Sequence, residues 1–334
     1  MSTRMGGRAD VDAPPEVARA SVDAPPRMVA IVPCHNEEAA VAKVVADLRA
    51  AVPGLDVFVY DNASTDDTVR VAREAGATVR REDRKGKGNV VRRAMADLDA
   101  DVYLLIDGDD TYDAAAAPEL IRTLLDGPYD QVTGVRSQQT ESAYRPGHAL
   151  GNRAFNETVS RIFGWPVNDM LSGYRVFSRR FVKSFPADSR AFEIETELTI
   201  HAIATRAPQT EVPVGFRDRP AGSESKLRTY HDGFRIVGMI AKLLHHERPF
   251  FFYAVFGLLW LLVALILGIP LVVEFVHTGT VPRMPTAILA SSLVVIAVLS
   301  LMVGILLDGV RRLRQEVRQM TYLSVAGPRW QANR

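Results

Sequence analysis

Val102-Tyr103-Leu104-Leu105-Ile106-Asp107-Gly108-Asp109-Asp110 is the stretch on which the fold turns. Its first five residues are apolar or aromatic without a polar break. They are too few for a helix and read as a strand buried on both faces. They empty directly into Asp107, Asp109 and Asp110, three carboxylates within four residues. Upstream the same arrangement repeats. Met28 to Val32, Asp56 to Tyr60 and Ala77 to Arg80 read as further strands. Glu38 to Ala51, Thr65 to Ala75 and Lys87 to Leu98 read as helices, with Ser64 or Thr65 as an N-cap. Strands alternating with helices predict an α/β domain built on a parallel sheet.

In such a sheet, ligands collect beyond the carboxyl ends of the strands. Three polar clusters stand there: Pro33-Cys34-His35-Asn36-Glu37, Asp61-Asn62-Ala63-Ser64-Thr65-Asp66 and Asp107-Gly108-Asp109-Asp110. All three are expected to meet on one edge. The carboxylates of the third repel one another unless a cation lies among them. Hard oxygen donors favour Mg²⁺ or Mn²⁺, bound through one or two carboxylates plus substrate phosphates. A solvated acidic turn capping the next helix is the plain alternative. The apolar strand that delivers these acids to a shared edge favours the ion. Arg84-Lys85-Gly86-Lys87-Gly88-Asn89 precedes a helix start, where N–H groups and the helix dipole attract anions. It reads either as a diphosphate contact or as a solvated basic turn, and it lacks the spacing of a Walker loop. His201, His245 and His246 show no metal-ligand spacing.

From about residue 135 to Arg228 the alternation weakens and Arg, Gly, Tyr and Asn become frequent, so a second substrate is expected to be recognised there. Further on, Phe250 to Val273 and Met284 to Leu307 contain no charged residue. Each is long enough to cross roughly 30 Å of hydrocarbon as a helix. Arg235, Lys242 and Arg248 precede the first span, and Arg311, Arg312, Arg314 and Arg318 follow the second. The connection from Glu274 to Arg283 is nearly neutral, so the positive-inside rule puts both flanks in the cytoplasm. Phe234 to Leu244 gathers Ile236, Val237, Ile240, Leu243 and Leu244 on one helical face. That stretch is either an interfacial helix on the membrane or a helix packed on the α/β domain. Residues 1–27 show no apolar period and read as a disordered tail without a secretory signal. The expected division is a tail over 1–27, an α/β domain over 28–229 and an amphipathic helix over 230–248. Two spans with a short outside loop occupy 249–310, and a cytoplasmic tail occupies 311–334. Both termini and the α/β domain then lie on the cytoplasmic side of the cell membrane.

The 334 residues carry a formal net charge of +1, without the basic excess that nucleic-acid binding shows. Cys34 is the only cysteine, which excludes an intramolecular disulfide and suits a reducing compartment.

Four motifs stand in order: VPCHNEE from Val32, VYDNASTDDT from Val59, LLIDGDD from Leu104 and VPVGFRDRPAGSESKL from Val212. In this order and spacing they resemble glycosyltransferase family 2, and within it the polyprenyl-phosphate and dolichyl-phosphate sugar synthases. The likeness covers Met28 to Tyr230, and the paired spans extend it to the bacterial polyprenyl-phosphate members. It implies a GT-A (Rossmann-like) catalytic domain with a C-terminal two-helix transmembrane anchor, an inverting transfer, a UDP- or GDP-linked sugar donor and a polyprenyl phosphate acceptor. Pro33, His35 and Glu37 match the segment lining the nucleotide pocket, although relatives often have Tyr at His35. Tyr60, Asp61 and Asn62 match the segment recognising base and ribose, with Asn62 standing where many members have Asp. The resemblance sets Asp107 and Gly108 against the nucleotide and Asp109 on the metal. Thr111 replaces a Gln that assists the metal in some relatives. Arg136, Arg219 and Lys226 match phosphate-holding residues, with one extra residue between the last two. Asp169 and Arg175 match an acid and an Arg close to the reaction centre.

Chemistry leads the same way. Breaking the anomeric C–O bond builds negative charge on the departing diphosphate, which a metal and arginines meet. Arg136, Arg175, Arg219 and Lys226 exceed what one diphosphate requires, leaving room for a second phosphate. A lipid phosphate is already ionised, so Asp169 is either a base or an orienting group. Another acceptor, such as a glycolipid or growing polysaccharide, stays open. A processive synthase would carry a Q-x-x-R-W motif, and Arg329-Trp330 lacks the Gln. A non-catalytic scaffold would have lost the acidic cluster. Two lone spans also leave room for a homo-oligomer.

Overall fold

The computed structural model describes residues 25–138, 168–187, 194–217 and, apart from Lys242, Leu243 and His246, residues 241–327. Residues 1–24 of the expected tail and most of the expected amphipathic stretch lie outside the described residues.

Seven strands form one sheet among the described residues, in the order β3-β2-β1-β4-β6-β5-β7. They are β1 Met28–Cys34, β2 Asp56–Asp61, β3 Thr78–Arg81, β4 Val102–Leu105, β5 Gln131–Gln138, β6 Arg175–Ser178 and β7 Gln209–Phe216. β1, β2, β3 and β4 run parallel. β6 is antiparallel to both β4 and β5, and β7 is again parallel to β5. The ends of β1, β2, β4, β5 and β7 thus share one edge of the sheet, called here the site edge.

Alternation along each strand feeds two cores. Ala30, Val32, Val57 and Leu104 point to a cluster covered by α1 Val41–Ala51, α2 Thr68–Glu74 and α4 Ala117–Asp126. Val29, Ile31, Phe58, Tyr60, Tyr103 and Leu105 point the other way. There they meet α3 Lys87–Asp97, α5 Arg179–Ser184 and α6 Ile194–Thr205.

The helix starts differ from expectation. α1 begins at Val41 rather than Glu38, because the Glu37 carbonyl accepts from both Ala40 and Val41 N–H and closes a turn first. α2 begins at Thr68 with no side-chain cap. Ser64 and Thr65 are instead taken up by Asn36: its N–H donates to Ser64 Oγ at 3.0 Å, and its Oδ1 accepts from Thr65 N–H at 2.8 Å.

α7 Pro249–Thr278 and α8 Met284–Ser324 form an antiparallel hairpin, and both are long and apolar enough to cross a membrane. Small residues let the backbones approach. A Cβ on Gly257 would stand 3.0 Å from the Ala297 carbonyl, and one on Gly304 would stand 3.0 Å from Tyr253 Cβ. Ile266, Val276 and Leu306 are each about 70% or more exposed, as lipid-facing side chains would be. α8 does not stop where the charges begin. It continues through the expected tail to Ser324 and packs on α5 and α6.

His201, in α6, is buried between Phe181 and Phe185. Burial, helped by the charge of Arg318, holds its pKa down to about 3. The unfolded chain therefore takes up a proton near pH 6.5 that the native protein refuses. Stability from this residue is complete above pH 6.5 and is lost as pH falls, by roughly 2 kcal/mol at pH 5. Thermal unfolding of detergent-solubilised protein at pH 7 and pH 5 should show that loss, and His201→Gln should remove most of it.

Candidate active site

Three loops build the site edge, and each contains one non-glycine residue in the left-handed region: Asn36 (φ 58°), Ala63 (φ 57°) and Asp110 (φ 57°). Such conformations cost energy and persist where surrounding contacts hold them. Here the first two loops hold each other. Glu37 N–H donates to Thr68 Oγ1 at 2.8 Å, and Asp67 N–H donates to Glu38 Oε2 at 2.8 Å. His35 Nδ1–H donates to the Asn62 carbonyl at 2.8 Å, which fixes the ring. Asp61 Oδ1 accepts from Ser64 N–H at 3.1 Å.

Asn62 is buried, and its side chain ties down the basic turn that follows β3. Its Nδ2 donates to the carbonyls of Glu82 and Arg84, and its Oδ1 accepts from Gly86 N–H at 2.7 Å. It therefore shapes the Arg84–Asn89 turn from within. Tyr60 lies fully buried in the second core, with Phe58 and Met95. The alternation of β2 turns its ring into the core, so it does not meet base or ribose, contrary to the expectation.

The third loop sits over Cys34. A Cβ on Gly108 would run into Cys34 Sγ, so only glycine lets the acidic turn lie this low. Burial, with Glu37, Asp61, Asp107 and Asp109 nearby, pushes the Cys34 thiol well up. Asp109 is 5% exposed, and its Oδ1 accepts from Thr111 Oγ1 at 2.6 Å and Thr111 N–H at 3.2 Å. Asp110 points to Lys43, at 2.9 Å.

Asp107 pairs with Lys87, the first residue of α3. Lys87 also meets Glu195 Oε1 at 2.5 Å. Burial alone would lower the Lys87 pKa, but the charges of Asp107 and Glu195 outweigh it and hold the ammonium protonated. The other oxygen of Glu195 is buried without a hydrogen-bond partner among the described residues. The sequence offers Lys87 only within its basic run, and it does not single out Glu195. Their 108-residue separation, from 87 to 195, leaves only a charged residue at each helix start as a signal.

Asp169 completes the edge. Arg136 Nε and Nη2 grip its two oxygens at 2.7 Å each, a bidentate pair. The Arg136 guanidinium also lies over the Phe216 ring, 5.3 Å from its centre. Phe216 bridges to Tyr112, and Arg217 N–H donates to the Thr111 carbonyl at 2.8 Å. Asp169, Arg136 and the acidic loop are thus neighbours. Arg175 is not at this surface. It is fully buried, donating to the carbonyls of Ser172 and Met170 and to Thr199 Oγ1. Its guanidinium braces the 169–174 loop from behind instead of meeting a phosphate. Arg219 and Lys226 lie outside the described residues.

For a divalent ion, the donors at this edge are the hard oxygens of Asp107 and Asp109. Among the described residues no three acidic, His or Cys side chains converge on one point. The set suits an ion that takes one or two carboxylates and completes its shell from a diphosphate and water.

Gly173 sits against the ion pair: a Cβ there would stand 2.5 Å from Asp107 Oδ2 and 2.9 Å from Lys87 Nζ. Gly173→Ala should push the pair apart and weaken nucleoside diphosphate binding by about tenfold, or 1.4 kcal/mol. Calorimetry with UDP or GDP plus Mn²⁺ measures this; an unchanged Kd would remove the pair from donor binding.

This fold, with an acidic turn beyond β4, is that of the GT-A-like glycosyltransferases. Residues 29–185 match the model of Glycosyl transferase family 2, and the chain belongs to that family. It is similar to glycosyltransferase AglJ of Haloferax volcanii, with 32% identity over 292 residues, 86% of this chain and 94% of AglJ. The dolichyl-phosphate hexose transferase of the same organism is 29% identical over 221 residues, 66% of this chain and 95% of that protein. Among solved structures, glucosyl-3-phosphoglycerate synthase from Mycobacterium tuberculosis with Mn²⁺, UDP and glucosyl-3-phosphoglycerate aligns with a TM-score of 0.53 at 26% identity. That match covers 65% of this chain and 79% of the synthase. The same synthase has also been solved with Mg²⁺ and UDP. The chain is accordingly a glycosyltransferase with a GT-A-like domain and a helical membrane anchor.

Proposed function

We propose that this enzyme moves a sugar, with inversion, from a nucleoside diphosphate to a polyprenyl phosphate held in the membrane. The observation that carries this reading is that one chain joins an acidic site edge, with Arg136 held beside it, to a two-span hairpin. The relative acting as a dolichyl-phosphate hexose transferase supports it. Asp109, with Asp107 beside it, would hold Mg²⁺ or Mn²⁺, which when bound neutralises charge growing on the leaving diphosphate. Pro33, His35, Glu37, Asp61 and Gly108 would receive the nucleotide at this edge. The orphan Glu195 oxygen is an acceptor that a sugar hydroxyl would satisfy.

Asp169 acts on Arg136 more than on a proton. Both its oxygens are occupied by the guanidinium, and an acceptor phosphate is ionised before it arrives. Arg136 then faces phosphate with its orientation fixed by Asp169 and Phe216. Arginines flanking the spans support a cytoplasmic position for the domain and the termini.

The test incubates the purified chain with Mn²⁺, polyprenyl phosphate and a panel of radiolabelled UDP- and GDP-sugars. Label in the organic phase from at least one donor is expected. Folded enzyme that transfers only to a soluble phosphate such as phosphoglycerate, or to a glycolipid, would overturn the acceptor.

A further inference from the structure

The end of α8 is built into the catalytic domain at the edge opposite the site. Asp130, fully buried just before β5, is the anchor. Its carboxylate accepts from Ser178 Oγ at 2.6 Å, Arg180 Nη2 at 2.5 Å and the Tyr322 hydroxyl. The Arg180 guanidinium lies over the Tyr322 ring, 4.5 Å from its centre. Tyr322 is 6% exposed and joins the second core.

We infer that Tyr322, Asp130 and Arg180 form a latch that holds the domain with its site edge toward the bilayer. Three observations point this way. First, the helix is continuous from Met284 to Ser324, so the 15 residues from Asp308 to Tyr322 make a rod of about 22 Å beyond the hydrocarbon. Second, that rod grips the far edge at Asp130, and the strand runs from there to Arg136 over about 20 Å, nearly the rod's own length. Third, the rod packs along α5 and α6, with Arg318 acting on His201 before Tyr322 reaches Asp130, so the helix passes toward the far edge as it leaves the bilayer and stands that edge off. Tyr322 is a positioning residue: it touches no reacting group and sets where the site stands.

The inference rests on the membrane reading of the two spans and deepens the proposed function, without depending on the acceptor's chemistry. The test uses the full chain in lipid nanodiscs carrying an energy-transfer acceptor on the headgroups. A donor dye is placed on Asp83→Cys, beyond β3 at the site edge, or on Asp56→Cys at the far edge; both positions are exposed. Cys34 is buried and its thiol pushed up, so it stays unlabelled. Transfer should be stronger from position 83 than from 56. Tyr322→Ala should erase most of that difference while UDP or GDP affinity stays unchanged, and Tyr322→Phe, which keeps the ring under Arg180, should retain part of it. Inserting seven residues between Asp308 and Arg318 keeps the helix face and lifts the latch by about 10 Å, so transfer from both labels should fall. Equal transfer from both positions, or a difference that survives Tyr322→Ala, would overturn the latch. Labels that behave as expected on a chain that transfers sugar to no polyprenyl phosphate would leave the latch standing and overturn the acceptor.

Discussion

Asp109→Ala is expected to lower kcat by at least about a thousandfold, the scale of losing the group that meets charge on a leaving diphosphate. Asp109 sits at the head of β4 with its Oδ1 fixed by Thr111, so its position does not depend on a flexible side chain. The substitution leaves the Thr111 N–H without that acceptor, at a cost of about 1–3 kcal/mol in stability. Loss of turnover with an unfolding temperature shifted only slightly, and with unchanged membrane insertion, would assign the effect to the site. Calorimetry should also show that Mn²⁺ no longer strengthens UDP or GDP binding. Normal turnover in the variant would remove Asp109 from the metal site.

The largest loss of stability is expected from Arg175→Ala, about 3–5 kcal/mol. Arg175 has no exposed surface, and burial lowers its pKa while Glu195 and Asp169 nearby oppose that shift. Truncation leaves the carbonyls of Ser172 and Met170 without their donor and opens a void beneath the loop that presents Asp169. Arg175→Lys would restore a charge without the planar fork and should recover little. Denaturant midpoints of the three proteins measure this. A variant as stable as the parent would mean that the loop is held by something other than the guanidinium.

How far the molecule could be read from its residues depends on what each residue type signals locally. β4 and the acidic turn after it were legible because an unbroken apolar run cannot be solvated and has no room to be a helix. β1 and β2 were legible for the same reason, with ends shifted by a residue or two where Cys34 pairs with Asp61. The Lys87–Glu195 contact was not, because two helix starts far apart in the chain meet only once β4 and β6 have paired. Arg175 was misread as a phosphate ligand: an arginine beside an acidic loop looks the same in sequence whether it faces solvent or the interior. Tyr60 was misread because base recognition and core packing call for the same ring, and only the phase of β2 separates them. The end of α8 was hidden by its arginines, which signal a solvated tail although Tyr322 returns the helix to the core.

That return has a consequence for how the enzyme is made. Val90, Phe177 and Phe181 lie in the second core beside Tyr322, which is translated only after both spans. When α6 leaves the ribosome, this core still lacks its last ring and Asp130 still lacks one donor. The domain is therefore finished only once the hairpin has been synthesised, and maturation of the enzyme is tied in time to its arrival at the membrane.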